Sequence, residues 1–208
     1  MELSKTYFDE VAKDWDKMQQ SFFPEAVREK AYILAEIKKG KLAADIGAGT
    51  GFMTVGLLKA GVNVVAIDQS AEMLKLLNEK YGNLGSLNYL QGDSDNLPLE
   101  SESVDYVFAN MFLHHVNDPS IAIREMFRIL KKGGKLVITD LDKHDHEFLV
   151  TEQHDVWMGF DRTDIKQWFI SAGFADVSAH CAGSNCCADS ECGCDKAEIS
   201  IFAAVGIK

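Results

Sequence analysis

A short, largely apolar run, Leu42–Ile46, leads straight into Gly47-Ala48-Gly49-Thr50-Gly51 and then into a second apolar segment that closes at Ala60 and Gly61. Glycines at such a junction let the backbone turn tightly and let a ligand approach it closely. The pattern is that of a strand turning into a helix, and a strand followed by a crossover helix needs a parallel neighbour. This one feature commits the chain to an α/β sheet. Further strands are predicted at Val62–Ile67, Leu87–Leu90, Val104–Ala109 and Lys135–Thr139. Helices are predicted at 51–60, Ala71–Tyr81, Pro119–Lys131 and Arg162–Ala172, with Ser70 and Asp118 as N-caps that accept otherwise unpaired backbone N–H groups. Ile165, Trp168, Phe169 and Ala172 recur at helical spacing, which marks Trp168 as core. Upstream, Pro24 suits the start of a helix whose stripe of Val27, Ala31 and Leu34, widened by Ile33 and Ile37, runs to Gly40. Near the end, Asp176–His180 and Glu198–Val205 read as strands with no helix between them, so they must pair antiparallel. The predicted sheet is five parallel strands plus a terminal hairpin.

The 208 residues suit a single domain spanning 1–208, with cap helices over 1–40 and a Cys-rich loop over 181–197. The net charge of −11 argues against a nucleic-acid partner or an anionic membrane, because binding phosphates calls for a basic face. The N-terminus, Met1-Glu2-Leu3-Ser4-Lys5, lacks the basic start and apolar stretch of a secretion signal, and a cytoplasmic location is expected. Oligomeric state is not legible, since nothing separates an interface stripe from a core stripe.

The glycine turn places free helix N-terminal N–H groups beside a close backbone approach, which fits a nucleotide-like ligand. The spacing is G-x-G-x-G, and Phe52 stands where a dinucleotide fingerprint wants its last glycine. Asp68 ends the second strand, where a carboxylate can accept both ribose hydroxyls, and Gln69 follows it. The third strand runs into Gly92-Asp93-Ser94, where Asp93 is placed to accept from an adenine amino group. These strand ends fall in order along the edge at which open α/β sheets bind ligands.

With those residues in place the chain resembles the class I S-adenosylmethionine-dependent methyltransferases, of the broad type that includes the ubiquinone and menaquinone biosynthesis enzymes. The glycine motif Asp45–Gly51, the ribose acid Asp68 and the adenine-side Asp93 match that family's pattern. So do the segment Asn110-Met111-Phe112-Leu113-His114-His115 after strand four and the turn Leu130-Lys131-Lys132-Gly133-Gly134-Lys135-Leu136. Tyr7-Phe8-Asp9 through Trp15-Asp16 resembles the entry helix that covers the cofactor. The resemblance implies a Rossmann-like three-layer αβα sandwich with a seven-stranded, mainly parallel sheet and an antiparallel C-terminal strand. It implies S-adenosylmethionine as cofactor and S-adenosylhomocysteine as product. The expected cofactor contacts are Asp45, Gly47, Gly49, Gly51, Asp68, Gln69, Asp93, Ser94 and Asn110.

The acceptor is less constrained. His114 and His115 are the candidate bases, against a reading in which they only pack or cap. His144, His146, Glu147, His154 and Asp155 form a second polar group, read as a metal site or, more readily, as a mobile polar lid. The stretch from His144 through Trp157-Met158-Gly159-Phe160 also resembles methyltransferase domains joined to arsenic-responsive repressor domains. All five cysteines fall in one window, with Cys186, Cys187, Cys192 and Cys194 as candidate soft-metal ligands beside Cys181. Three readings stay open for them: capture of a thiophilic substrate such as arsenite, a structural or regulatory soft ion, or an incidental loop. The expected activity is methyl transfer to a small molecule, thiophilic in one version and a quinone or other aromatic in another. A sensor that binds S-adenosylmethionine or metal without turnover is the rival from another class.

Overall fold

The computed structural model describes residues 7–9, 11, 12, 15, 22, 24–190 and 195–208. Helix α1 (Glu25–Ala35) precedes β1 (Leu42–Ile46), α2 (Phe52–Lys59), β2 (Asn63–Asp68), α3 (Ala71–Tyr81) and β3 (Leu87–Gln91). Then come β4 (Val104–Asn110), a 3-10 turn (Leu113–His115), α4 (Pro119–Ile129), β5 (Leu130–Leu141), α5 (Glu147–Glu152), α6 (Arg162–Ala172), β6 (Ala175–Asp189) and β7 (Lys196–Ile207). The strands form one seven-stranded sheet in the order β3-β2-β1-β4-β5-β7-β6. The first five pair in parallel, β7 runs antiparallel to β5, and β6 runs antiparallel to β7. The expected α/β architecture is the one observed.

Both sheet faces are covered, as a parallel sheet requires. Successive strand residues point to opposite faces, and the buried residues divide accordingly. Ala44, Ile46, Val107 and Ala109 meet Ala122, Met126, Ile165 and Phe169 on the side of α4 and α6. Ala43, Val64 and Phe108 meet Ala31, Met53 and Leu57 on the side of α1 and α2. On that same side Ala66 packs with Leu74 and Leu77 of α3. The caps are as read: the Ser70 hydroxyl accepts from the Met73 N–H, and the Asp118 carboxylate from Ser120 and Ile121.

Several boundaries differ. Helix α1 stops at Ala35, where Glu36 turns left-handed at φ 52°, rather than running to Gly40, and Ile33 is exposed rather than part of the buried stripe. Helix α4 ends at Ile129 because β5 begins at Leu130. The largest correction lies at the hairpin. Most of the predicted 181–197 loop is strand: Asn185 pairs with Ser200, Cys186 with Ile199 and Asp189 with Lys196. Local propensity missed this, because Ala-Gly-Ser-Asn-Cys-Cys-Ala lacks β-branched and aromatic residues. Pairing with β7, whose Ala197, Ile199 and Ile201 are buried, holds it extended. Most of the first predicted cap helix lies outside the described residues. Among those described, no helix is long and apolar enough to cross a membrane.

Candidate active site

The parallel register brings Asp45 of β1 level with Ala66 of β2 and Phe108 of β4, so these strands deliver their C-terminal ends to one edge. The turn after β1 is pinned by the N–H groups of Gly47 and Ala48, which donate to the Ile67 carbonyl at 2.8 and 3.1 Å. Gly47 sits at φ 66°, and a Cβ there would stand 2.2 Å from the Phe112 ring, so no other residue fits without displacing that ring. The Asp68 carboxylate accepts from the Gly49 N–H at 2.8 Å and the Ser70 N–H at 2.9 Å. The Ser70 hydroxyl donates to Asp9 at 2.5 Å and so ties the N-terminal segment to this edge. Asp45 is buried and accepts from the Thr54 hydroxyl at 2.6 Å. Burial pushes the Asp45 carboxyl up to about 7, and burial likewise raises Asp68. A cavity here is walled by Asp45, Gly47, Asp68, Asp93, Asn110 and Phe112, among others.

A second, largely apolar cavity adjoins the first. Phe8, Trp15, Met111 and His115 line both. Its far side is made by Leu141, Leu149, Cys186 and Ala188, and its polar end by His114, His115 and Asp155. His114 is buried on the 3-10 turn, with Nδ1 2.6 Å from Asp140 Oδ1. Asp140 is a saturated acceptor: Oδ2 takes the N–H groups of Phe112 and Leu113, and Oδ1 also takes that of Leu141. An acceptor-only carboxylate fixes the His114 tautomer with its proton on Nδ1 and turns Nε2 to the cavity. His114 Nε2 and His115 Nδ1 lie 3.7 and 3.6 Å from Asp155 Oδ1. Burial opposes charge on His114, but Asp140 and Asp155 outweigh it and raise its pKa to about 9. Burial, reinforced by His114, holds His115 well below the usual histidine range. Burial raises Asp155 to about 6.

Residues 44–138, from β1 through most of β5, match the family described as methyltransferase domain. Across this region the chain is similar to class I S-adenosylmethionine-dependent methyltransferases. The chain is 27% identical over 180 residues to the malonyl-[acyl-carrier protein] O-methyltransferase of Marinomonas sp., an alignment covering 82% of this chain and 65% of that protein. It is 35% identical over 136 residues to the demethylmenaquinone methyltransferase of Staphylococcus carnosus, covering 62% of this chain and 56% of that one. The chain thus spans between about half and two thirds of the length of these curated relatives. Its fold superposes with a TM-score of 0.78 on the Haloferax volcanii protein solved in complex with the methyltransferase activator Trm112, at 23% identity and covering 96% of each chain.

The residues expected to contact the cofactor converge, with one exception. Asp45, Gly47, Gly49, Asp68, Gln69, Asp93, Ser94 and Asn110 all line the first cavity. Gly51 does not. It lies at φ 102° at the start of α2, where a Cβ would press on Tyr81 and Leu77, so its role is to pack α2 against α3. His114 and His115 both reach the second cavity. The second polar group divides: Asp155 turns in to the two histidines, whereas His154 packs its ring on Tyr7 and His144 on His146. The expected mobile lid is hydrogen-bonded along its length, through Val156 and Trp157 N–H to the His114 carbonyl and Trp157 Nε1 to that of Val116.

The cysteines do not form the expected cluster among the described residues. Cys186 is buried with Ala188, Ala197 and Ile199, whereas Cys187 alternates to the other side of β6 and is partly exposed. Cys192 and Cys194 lie outside the described residues. Burial, with help from Cys187, pushes the Cys186 thiol up to about 12. Sequence reasoning missed Asp140, although an acid just beyond a strand's apolar run, on the same sheet edge, is the kind of signal that marked Asp68.

Proposed function

We propose that the protein transfers the methyl group of S-adenosylmethionine to a small, apolar acceptor of hydroxyaromatic type, such as a quinol. The observation that carries this reading is the wall of Phe8, Trp15, Met111 and His115 shared by the two cavities. A cofactor in the first cavity presents its methyl group through that junction to an acceptor in the second. Asp68, which lines the first cavity, accepts the ribose hydroxyls. Asp93 and Ser94 border the adenine, and the amide of Asn110 faces the methionine end. Asp45 is a buried carboxylate and Asp68 a partly buried one, and a cationic sulfonium compound stabilises both in their charged form.

The reaction is an in-line displacement. The bond from methyl carbon to sulfur breaks, its electron pair stays on sulfur as S-adenosylhomocysteine, and a bond to the acceptor oxygen forms. The acceptor's proton passes into the His114–His115–Asp155 group. Most of the rate gain comes from alignment, since two reactants held in attack geometry avoid much of the entropy cost of meeting. The relatives named for quinone and acyl-carrier substrates support a small or carrier-bound acceptor.

A thiophilic acceptor such as arsenite or a thiol is the second reading, and the observation in its favour is Cys186 lining the acceptor cavity. The high pKa of that thiol weighs against it, because a protonated thiol is a poor soft ligand. The test is release of S-adenosylhomocysteine by the purified chain with a quinol, with arsenite plus excess thiol, and with thiol alone. Quinol-dependent release is expected. Arsenite-dependent release that collapses in Cys186→Ser transfers the assignment to a soft acceptor. Tight cofactor binding with no product across the panel overturns the enzyme reading in favour of a sensor.

A further inference from the structure

The polar end of the acceptor cavity brings two imidazoles and a carboxylate together. One ligand atom from each of His114, His115 and Asp155 lies within 4.8 Å of the others, with His114 Nε2 and His115 Nδ1 at 3.7 and 3.6 Å from Asp155 Oδ1. The His114 proton is committed to Asp140 through Nδ1. His115 makes its hydrogen bond to the backbone of His154, and its Nδ1 is buried with no hydrogen-bond partner among the described residues. A divalent cation that displaces the Nε2 proton of His114 would meet a ligand atom from each of the three residues. Leaving such groups bare and buried is costly, and a positive centre at their focus removes the cost.

We propose that this point binds one divalent transition-metal ion of zinc type, held by His114, His115 and Asp155. The spacing fits. Ligands about 2.0–2.1 Å from a tetrahedral zinc stand roughly 3.3–3.5 Å apart, and the two imidazole-to-carboxylate distances are 3.7 and 3.6 Å. The donor set of two nitrogens and one oxygen suits zinc, cobalt or iron rather than magnesium or calcium, which take oxygen ligands. Asp140 adds the carboxylate that commonly orients a metal-bound histidine through its other nitrogen. Three protein ligands and a fourth position open to an apolar cavity is the arrangement of a catalytic rather than a structural zinc. The backbone supports it: the ligand loop is held in by His154 at φ 57° and by the Val156 and Trp157 N–H bonds to the His114 carbonyl. A cation there lowers the pKa of an acceptor hydroxyl. That use rests on the methyl-transfer reading, whereas the binding itself does not.

The experiment titrates chelator-treated full-length protein with Co²⁺, following visible d–d absorption, and with Zn²⁺ by calorimetry. Binding of S-adenosylhomocysteine is measured in parallel on every sample, so failure of the metal site and failure of the cofactor reading are separate results. One equivalent of Co²⁺ is expected, with a four- or five-coordinate spectrum and no thiolate charge-transfer band. Substitution of Cys186, Cys187, Cys192 and Cys194 by serine should leave it unchanged. Asp155→Asn and His115→Asn should each weaken binding by ~100-fold or more, and Asp140→Asn by ~10–100-fold, while the Asp155→Asn protein still binds S-adenosylhomocysteine. Absence of Co²⁺ and Zn²⁺ binding by the wild-type chain overturns the proposal. So does binding that disappears in the serine variant or shows a thiolate band, either of which places the ion on the cysteines. Because the wild-type spectrum and the serine variant decide the outcome, the proposal stays falsifiable if the Asn variants fail to fold.

Discussion

Asp45 is buried with a single hydroxyl donor, Thr54, and its raised pKa makes a direct statement about stability. Its unfolded value is near 3.8 and its folded value about 7. The folded state therefore binds the proton more tightly, and stability falls as pH rises between those values. The penalty, on the order of a few kcal/mol, is absent below the lower value and complete above the upper one. Denaturant melts at stepped pH should show this decline in the wild-type protein and a flatter profile in Asp45→Asn. Equal slopes for the two proteins would mean that Asp45 ionises freely in the fold. Cys186 gives a second case. Its thiol is buried and pushed up to about 12, whereas Cys181 is exposed. Iodoacetamide at neutral pH, followed by peptide mass spectrometry, should label Cys181 well before Cys186. Preferential labelling of Cys186 would show a reactive thiol in the acceptor cavity and favour a soft substrate.

Among the elements, α4 shows how far local rules reach. Pro119 at its first turn, Asp118 before it and the buried face of Ala122, Met126 and Ile129 are all readable from spacing. Asp118→Ala removes acceptors from the Ser120 and Ile121 N–H groups. It should cost about 1 kcal/mol, a melting temperature lower by a few degrees, with S-adenosylhomocysteine binding unchanged. A shift within error would show that water replaces the cap. The β6–β7 hairpin shows where local rules stop. Its cysteine-rich half has weak strand preference, and only the buried alternation of Ala197, Ile199 and Ile201 across from it makes a strand there. Strand formation in such a segment is decided by its partner, because β propensity mostly measures packing against neighbours.

Across the whole molecule, sheet order creates the active site. Placing β4 beside β1, and β7 and β6 beyond β5, sets the proposed acceptor cavity next to the proposed cofactor cavity, with Cys186 and Ala188 on its outer wall. Ala188 lines the acceptor cavity and takes no part in the first one. Ala188→Trp should fill the acceptor site, leaving S-adenosylhomocysteine affinity near wild type while turnover falls roughly 100-fold, since misplacing a reactant by an ångström is enough for that. Loss of both together would mean that the two cavities are not separate binding sites.

The sequence by itself determined the α/β class, the glycine turn and the cofactor edge, because these depend on residues close in the chain: Asp45 to Gly51, Asp68 with Gln69, Asp93 with Ser94. Their chemistry is carried by strand ends, and strand ends are fixed by short-range patterns of apolar residues and turns. It also offered His114 and His115, and separately Asp155, with nothing to join them. Only the tertiary structure decided that Asp155 leaves the other histidines of its own loop and meets that pair, that Asp140 stands behind His114, and that Cys186 and Cys187 part to opposite faces. Side chains forty residues apart converge through loop paths and strand register, and neither has a local signal.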